Sequence, residues 1–365
     1  MTDRTPRRRK LLWDACKGEG VDAFLVASVT NVSYLTGFTG DDSTFLLASD
    51  DGLVISDGRY RTQLEQECPQ LKAHIRPVGQ EMIDGVVDCV TAKGYKRLGF
   101  ESPVVSVAVY EALREKLPPV EFVGLKGKVE GLRIVKDEDE VALIREAIDY
   151  AERAYAMVRA ALRRDQSEKG VADALEAALR RCGASSAAFP PIVAVGKHAA
   201  LPHYHASAAT RLDADDLLLV DWGATGRQYR SDLTRTVVTG KVTPKFEAVY
   251  RVVLAAQERG ISAIRPGVLA RDVDAEARSV IVEAGFGDYF NHGLGHGLGI
   301  DIHEAPRLRR ESDVTLQPGM VVTVEPGIYL PDWGGIRIED DVLVTTDGHE
   351  VLTHLPKDFD SVRVG

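Results

Sequence analysis

Five side chains in the second half of the chain have the types and spacing of a two-metal site. Four are carboxylates and one is an imidazole: Asp221, Asp232, Glu325, Glu339 and His296. Each lies in a stretch with the pattern of a β-strand or a glycine-rich loop, so hairpins can bring them together. Two divalent cations would neutralise four carboxylates, and paired cations activate water and polarise carbonyl groups. The pattern therefore predicts a hydrolase that acts through a metal-bridging hydroxide.

The two aspartates are expected to face each other across a hairpin. Residues 225–228 offer Gly226 at the first central position of a two-residue loop, the preference of a type II′ turn. With that turn, Asp221 stands directly across from Asp232. Two like charges so placed repel each other unless a cation lies between them. The alternative is that one aspartate faces solvent or caps a turn.

The segment 292–299 places a glycine at every second position on both sides of His296. Alternating glycines disfavour a regular helix but let backbone and imidazoles approach a ligand closely. A phosphate-binding loop is the competing interpretation, yet Asp301 and Glu304 put negative charge where such a loop needs free N–H groups. A single histidine is usually structural, but six of the chain's nine lie in one region: His198, His203, His205, His292, His296 and His303.

The two glutamates occupy strand positions beside apolar neighbours. Val324 precedes Glu325, and Ile338 precedes Glu339. A carboxylate at an inward strand position is costly unless it is paired or metal-bound, although either glutamate alone could face solvent. Oxygen-rich ligation with one imidazole suits Mn²⁺ or Co²⁺ better than a thiolate-bound structural Zn²⁺. Two divalent metal ions are expected, with Mn²⁺ favoured and Co²⁺ or Zn²⁺ as alternatives.

Five ordered motifs resemble those of one peptidase family. They are DWG at 221–223, SDLTRT at 231–236, HGLGHGLGIDIHE at 292–304, TVEPGIY at 323–329 and GIRIEDD at 335–341. The chain is similar to the metal-dependent Xaa-Pro peptidases, prolidase and aminopeptidase P, which share the creatinase/methionine aminopeptidase "pita-bread" fold. The resemblance is specific over residues 131–365 and extends weakly to the N-terminal region through segments 31–37 and 57–60.

The resemblance implies a role for each matching residue. Asp221 would hold one metal, while Asp232 and Glu339 would bridge both. His296 and Glu325 would complete the ligands of the second metal, and Glu325 would also carry a proton from the attacking water to the leaving nitrogen. Further positions match residues that contact substrate or support the site: His203, His292, His303 and Arg337.

The implied reaction is hydrolysis of the peptide bond before a proline at the second position, in a dipeptide or at the start of a longer peptide. The family also implies a homodimer. Two alternatives stay open: a broader, methionyl-type aminopeptidase, and a non-catalytic pita-bread binding module. All five ligand positions keep metal-binding residues, which disfavours the binding module. The same feature disfavours creatinase itself, which does not keep these ligands.

Two domains are expected to position these residues, because 365 residues exceed one ordinary core. Short alternating strands and helices predict an α/β domain, assigned to residues 1–130. The proline-containing segment 118–136 is interpreted as the crossover between domains. Long amphipathic helices and hairpins predict an α+β domain at 131–365, for which the resemblance implies a curved antiparallel sheet covered by long helices.

Two helix starts in the second domain carry capping signals. Asp165 with Glu168 three residues later has the pattern of a capping box. Thr243 followed by Pro244 combines an N-cap residue with proline in the first turn.

Composition excludes several kinds of partner. A net charge of −10 disfavours nucleic acid and anionic membrane surfaces. No apolar run approaches the roughly 18 residues of a membrane span. Asp14 interrupts the apolar residues after the basic start, so no export signal is predicted. Four scattered cysteines without a CxxC pair are typical of reduced thiols in a cytoplasmic protein.

Overall fold

The computed structural model describes residues 4–49 and 51–364. The chain divides into two compact units between Arg133 and Ile134. The predicted boundary at residue 130 lies at the start of a short helix, Glu130–Arg133, that ends at this division.

The first unit contains a mixed six-stranded sheet. Its strands are β1 (Ala23–Val26), β2 (Thr44–Ala48), β3 (Asp51–Asp57), β4 (Lys72–Arg76), β5 (Arg97–Glu101) and β6 (Glu121–Leu125). Their order in the sheet is β4-β3-β2-β1-β5-β6, with β1–β2 and β2–β3 antiparallel and the other pairs parallel. The helices are α1 (Thr5–Cys16), α2 (Val29–Thr36), α3 (Arg61–Glu67), α4 (Met82–Lys93), α5 (Val107–Lys116) and α6 (Glu130–Arg133). Sequence interpretation missed β6, because it lies within the segment interpreted as a crossover.

The second unit has four long helices and a largely antiparallel set of strands. The helices are α7 (Glu138–Ala160), α8 (Glu168–Cys182), α9 (Pro244–Ala263) and α10 (Ala270–Glu283). The strands are β7 (Ser186–Ala187), β8 (Ile192–Val195), β9 (Leu217–Trp222), β10 (Ala224–Thr225), β11 (Leu233–Val238), β12 (Gly295–Gly297), β13 (Glu304–Leu308), β14 (Val321–Val324), β15 (Gly327–Leu330), β16 (Gly334–Arg337), β17 (Asp340–Val344) and β18 (His349–Val351).

The strand β9 lies at the centre of a three-stranded sheet, in the order β11-β9-β8, with apolar clusters on both faces. Leu218 and Val220 pack in the cluster that contains residues of α7 and α8. Leu217 and Leu219 pack in the cluster formed with α9 and α10. Side chains alternate along a strand, so Asp221 lies on the same face as Leu219. Burial of each such leucine stabilises the fold by about 1.5–3 kcal/mol.

The remaining strands bring the other acidic segments beside this sheet. A five-stranded antiparallel sheet has the order β13-β12-β14-β17-β18, and β15 pairs with β16. An isolated bridge between Thr234 of β11 and Glu339 links the two groups of strands. The α/β unit followed by an α+β unit agrees with the predicted fold class.

The helix starts differ from the sequence prediction at one place. Thr243 caps α9 as expected, because its side chain accepts a hydrogen bond from the N–H of Phe246. The predicted capping box of Asp165 and Glu168 is wrong, since Ser167 caps α8 and Glu168 turns inward, fully buried. The pattern was ambiguous because Ser167, closer to the helix start, is an equally good cap.

None of the helices within the described residues combines the length and apolar character needed to span a membrane. All four cysteines are free and buried.

Candidate metal centre and catalytic pocket

The hairpin of β9 and β11 places both aspartates, but in a different register from the predicted one. Asp221 pairs with Thr234 and Trp222 pairs with Leu233, so Asp232 stands diagonally from Asp221 instead of directly opposite. Because the register differs by two residues and strand side chains alternate with a period of two, both aspartates keep their face. The structure thus corrects the direct pairing while retaining the proximity.

The loop of this hairpin explains the difference. Thr225 bridges to Arg230, so four residues, 226–229, form the loop in place of the predicted two. The backbone N–H of Gly226 donates to the carbonyl of Tyr229 at 2.9 Å. Gln228 has a φ of +72°, a conformation more often taken by glycine. The predicted type II′ turn at Gly226 is therefore wrong, because the positive φ falls at Gln228.

His296 lies in the middle of β12, between β13 and β14. The glycines on either side allow this close packing: a Cβ at Gly295 would meet the carbonyl oxygen of Thr323 at 1.9 Å, and one at Gly297 would meet that of Ala305 at 2.2 Å. The glycine alternation noted in the sequence therefore reflects steric need at these two positions.

The orientation of the His296 ring leaves one nitrogen facing carboxylates. Its Nδ1 lies 3.1 Å from the carbonyl oxygen of Gly297, so Nδ1 carries the proton of the neutral ring. Burial lowers the pKa of His296 to about 3, which keeps the ring neutral at pH 7. The unprotonated Nε2 then lies 3.6 Å from Asp232 Oδ2 and 3.4 Å from Glu325 Oε1. Three lone-pair donors facing one another form an arrangement that a cation between them stabilises.

Each of the two glutamates lies just beyond the end of a strand. Glu325 comes directly after β14, and Thr323 Oγ1 donates to its Oε1 at 3.3 Å. Glu339 lies between β16 and β17, and Thr234 Oγ1 donates to its Oε2 at 2.6 Å. Each carboxylate is thereby held by a threonine: Glu325 by Thr323 of the strand that it follows, and Glu339 by Thr234 of β11.

Ligand atoms of three of these residues converge within metal-binding distance. One ligand atom each from Asp232, His296 and Glu339 lies within 4.8 Å of the other two. Asp221 Oδ1 is buried and has no hydrogen-bond partner among the described residues, while its Oδ2 is bound by Arg337. All five predicted ligands line one cavity of about 830 Å³. A buried oxygen without a partner and an oxygen-rich donor set both fit divalent cations.

The electrostatics of the cluster also fit bound cations. Burial, followed by repulsion from the other carboxylates, raises the pKa of Asp232 and of Glu339 well above the usual range. Burial raises the pKa of Asp221 as well, and that of Glu325 to about 7. Burying several carboxylates together is costly unless positive charge compensates them. Two divalent cations would supply that charge.

The three histidines predicted to lie near the substrate, His203, His292 and His303, also line this cavity, as does Arg337, which was predicted to support the metal site. The ring of His303 packs edge-on against His296, with centroids 4.5 Å apart. His205 lines the cavity too, whereas His198 does not and instead places Nδ1 2.8 Å from Glu168.

A series of hydrogen bonds from Arg337 through Tyr329, a residue not predicted from sequence, orients His292. Arg337 NH1 donates to the hydroxyl oxygen of Tyr329 at 2.9 Å, and that hydroxyl lies 3.0 Å from His292 Nε2. His292 Nδ1 lies 2.8 Å from the carbonyl of Gly293, so Nδ1 carries the proton and Nε2 accepts from Tyr329. Burial lowers the pKa of His292 to about 4, so the ring is neutral at pH 7.

Other residues at the site were not identified from sequence. Asp341 is fully buried, and its Oδ2 accepts a hydrogen bond from the Asp232 N–H at 3.1 Å. Arg307 of β13 pairs with His296 and lines the cavity. Thr234 and Tyr329 lie within the family motifs, and their alternation with the ligands along the same strands was the signal that could have revealed them.

Comparison with known proteins agrees with this geometry. The model of metallopeptidase family M24 matches residues 142–346, and that of the creatinase/prolidase N-terminal domain matches residues 8–135. The uncharacterized peptidase YqhT of Bacillus subtilis is 40% identical over 341 residues, covering 93% of this chain and 96% of that protein. A protein of Pyrococcus horikoshii named Xaa-Pro dipeptidase is 35% identical, covering 93% of this chain and 94% of its own length.

Solved structures show the same two-domain architecture. An Xaa-Pro dipeptidase from Bacillus anthracis superposes with a TM-score of 0.93 at 37% identity, covering 97% of this chain and 99% of that one. An X-Pro aminopeptidase from Thermotoga maritima gives a TM-score of 0.87 at 36% identity, covering 93% and 97%. The chain therefore belongs to metallopeptidase family M24, as a peptidase with a creatinase-type N-terminal domain and a pita-bread catalytic domain.

Proposed function

We propose that this protein is a dinuclear metal-dependent exopeptidase that hydrolyses Xaa-Pro bonds, with dipeptides as its preferred substrates. The observation that carries the proposal is the convergence in one cavity of four buried ligands and the partly buried Glu325, with Asp221 Oδ1 unpartnered. Relatives named Xaa-Pro dipeptidase, which align over nearly the whole chain, support the choice of bond.

The chain's own residues would hold two cations in the following way. Asp221 would bind one, His296 and Glu325 the other, and Asp232 and Glu339 both. The oxygen-rich set favours Mn²⁺, with Co²⁺ or Zn²⁺ as alternatives. When bound, such a pair supplies a water-derived nucleophile at neutral pH and a Lewis acid for the scissile carbonyl.

Proton transfer in this scheme belongs to Glu325. Its carboxylate lines the cavity beside the ligands and is oriented by Thr323. It would take a proton from the attacking water and deliver it to the departing imino nitrogen, which has no hydrogen of its own in an Xaa-Pro bond.

Three histidines would orient the substrate around the reacting carbonyl. The neutral ring of His292 is held with its tautomer fixed by Gly293 and Tyr329. His203 and His303 line the same cavity, and an imidazole N–H donor near the carbonyl oxygen stabilises the negative charge that develops there.

Arg307 supports the preference for dipeptides. Its side chain lines the cavity, is exposed, and makes no hydrogen bond or ion pair with any described residue. A guanidinium so placed can bind a carboxylate through two parallel hydrogen bonds. In an Xaa-Pro dipeptide the carboxylate directly follows the proline ring, whereas in a longer peptide an amide takes its place.

Metal analysis combined with peptide hydrolysis tests the proposal. We expect about two equivalents of Mn²⁺ per chain by plasma mass spectrometry, and release of proline from Ala-Pro. Ala-Ala, Ala-Pro-Ala and Ala-Pro amide should be poorer substrates. Hydrolysis of Ala-Ala but not Ala-Pro would contradict the proline specificity, and equal rates on Ala-Pro and Ala-Pro-Ala would contradict the dipeptide preference.

The variant Arg307→Leu separates the carboxylate contact from the chemistry. We expect KM for Ala-Pro to rise by about 10-fold or more, as for loss of a charge-assisted hydrogen bond, with KM for Ala-Pro amide little changed. An equal rise for both substrates would assign Arg307 a different role.

A further inference from the structure

One buried carboxylate outside the metal centre organises a segment that enters the cavity. Glu168 is fully buried in the first turn of α8, and it contacts the segment 195–207, here called the His203 loop. Its hydrogen-bond partners are the Val195 N–H at 2.8 Å, His198 Nδ1 at 2.8 Å, the Tyr204 hydroxyl at 2.8 Å and the Ser207 N–H at 3.1 Å. Two partners meet each carboxylate oxygen, so all four lone-pair directions are used.

The His203 loop has little regular structure of its own. After β8 ends at Val195, the chain forms a short 3₁₀ turn, Gly196–Ala200, and continues through bends. Its internal backbone bonds are short-range, from the Leu201 N–H to His198 O and from the Tyr204 N–H to Leu201 O. The conformation of this segment therefore depends on contacts with other elements: Glu168 of α8 on one side, and the close packing of Gly334 and Gly335 against the backbone of residues 196–199 on the other.

The same loop delivers His203 to the cavity. His203 and its neighbour Tyr204 both line the cavity with the metal ligands. Glu168 binds the Tyr204 hydroxyl, and the ring of Tyr204 stacks on His198, with centroids 4.5 Å apart and planes 22° apart. Glu168 thus fixes the residue adjacent to His203 from two directions.

We propose that Glu168 is a positioning residue, which holds His203 in its productive orientation through Tyr204 and His198. The proposal deepens the proposed function, since it rests on His203 acting on the peptide substrate. A displacement of about 1 Å in a substrate-contacting group can cost on the order of 10²-fold in rate, so a carboxylate that fixes the whole segment affects turnover strongly.

Glutamine has the same shape as glutamate, but it replaces one accepting oxygen by an NH₂ group that can only donate hydrogen bonds. The amide oxygen of Glu168→Gln can accept hydrogen bonds from two of the four donors, while its NH₂ group would face the other two donor groups. The loop must then shift, although none of the five metal ligands lies on it. We expect kcat on Ala-Pro to fall by about 10- to 100-fold, with the metal content unchanged.

A double-mutant cycle with His203→Ala distinguishes positioning from general destabilisation. If Glu168 acts through His203, then Glu168→Gln in the His203→Ala background should lower kcat/KM by less than about twofold. If the two effects multiply in full, Glu168 does not act through His203 and the proposal is overturned.

Glu140 provides a matched control. It is also buried near the start of a helix, α7, and its carboxylate likewise accepts a hydrogen bond from a tyrosine, Tyr229, at 2.8 Å. Glu140 does not contact the His203 loop through these bonds. We expect Glu140→Gln to destabilise the protein to a similar extent, yet its effect on kcat/KM should be the same with and without His203.

A spectroscopic measurement tests positioning without relying on turnover. In protein labelled at the histidine side chains, the signals of His203 are identified by their loss in His203→Ala. They should shift or broaden in Glu168→Gln and stay in place in Glu140→Gln. Unchanged His203 signals would overturn the proposal even if wild-type protein cleaved none of the peptides, which by itself would contradict only the proposed function.

A milder variant covers the case in which Glu168→Gln does not fold. His198→Phe keeps an aromatic ring against Tyr204 but removes the nitrogen that meets Glu168, and His198 does not line the cavity. We expect the same effects as for Glu168→Gln, but of smaller magnitude: a lower kcat, perturbed His203 signals and no further loss of kcat/KM in the His203→Ala background. A full multiplicative loss would again contradict the proposal.

Discussion

Two neighbouring residues, Glu339 and Asp340, show how buried acids acquire different roles within one fold. Both are almost completely buried. Glu339 faces the cavity and three other carboxylates, whereas Asp340 faces the opposite side of the same chain segment. There Asp340 Oδ1 binds Arg235 at 2.7 Å and Thr353 at 2.7 Å, and its Oδ2 binds Gln257 and Lys357. The two acids are buried to a similar degree, but the side chains around them differ: carboxylates surround Glu339, and cationic and polar groups surround Asp340.

The difference lies in where the compensating charge comes from. Burial alone would raise the pKa of Asp340, but Arg235 and Lys357 outweigh it and hold that pKa well below its usual range. Burial and repulsion from neighbouring carboxylates raise the pKa of Glu339 instead. A buried acid with its own cations is charge-compensated by the protein itself, while a group of acids without enough cationic partners is suited to bind metal.

The largest expected effect is the loss of activity in Asp232→Asn. Removal of the carboxylate that we propose to bridge both cations should abolish binding of at least one cation and reduce turnover to background, because the remaining ligands compensate less charge. The free energy of unfolding without added metal should stay the same or increase, since one repulsive charge is gone. Metal analysis and urea unfolding in chelator check both expectations. Full activity of the variant would contradict the assignment of Asp232 to the metal centre.

Glu325→Gln should reduce turnover by about 10²- to 10⁴-fold, as expected for loss of a general acid–base group. Four ligands remain and the amide oxygen can still coordinate, so both metals should stay bound. Plasma mass spectrometry and Ala-Pro hydrolysis measure the two quantities on the same sample. Near-normal turnover would refute the proton-transfer role.

Asp340→Asn should act on stability. Arg235 and Lys357 would each lose their carboxylate partner in a buried site, and breaking such a pair costs about 3–5 kcal/mol. Urea unfolding in chelator measures the change, and metal titration of the folded fraction should still show two sites. If Asp340→Asn unfolds like wild type but no longer binds metal, then Asp340 belongs to the metal centre and not to the structural ion-pair network.

The smallest expected effect is stabilisation of the wild-type protein by Mn²⁺. Cations that bind the folded chain at 100 times their Kd stabilise it by about 2.7 kcal/mol per site. The thermal midpoint should therefore rise with added Mn²⁺ in wild type and in Asp340→Asn, but less in Asp232→Asn. An equal rise in all three proteins would indicate cation binding elsewhere.

The predicted ligands and histidines of the pocket could be identified from sequence because their segments carry recognisable motifs, whereas Arg307, Tyr329 and Asp341 were not. Sequence analysis did not give the register of the β9–β11 hairpin, since the loop depends on Gln228 adopting a positive φ. It also misassigned Glu168, whose partners lie 27 to 39 residues away in sequence. Local sequence patterns predict which segments form strands or helices and which side of each is buried. Contacts between residues that are distant in sequence depend on the complete fold.

Some properties expected from the sequence do not follow from the structure of one protein chain. The metal identity, the homodimer and the cytoplasmic location stay predictions. So does the assignment of individual ligands to each cation, which the structure supports through proximity and charge.

Arg235 connects the candidate metal centre to the segment around Leu355. Its guanidinium donates to the carbonyl oxygens of Thr234 and Glu339 and also to that of Leu355. The segments that carry Thr234 and Glu339 are therefore joined through one guanidinium to the segment around Leu355. The geometry of the candidate site thus depends on residues that follow the last predicted ligand, Glu339, in the sequence.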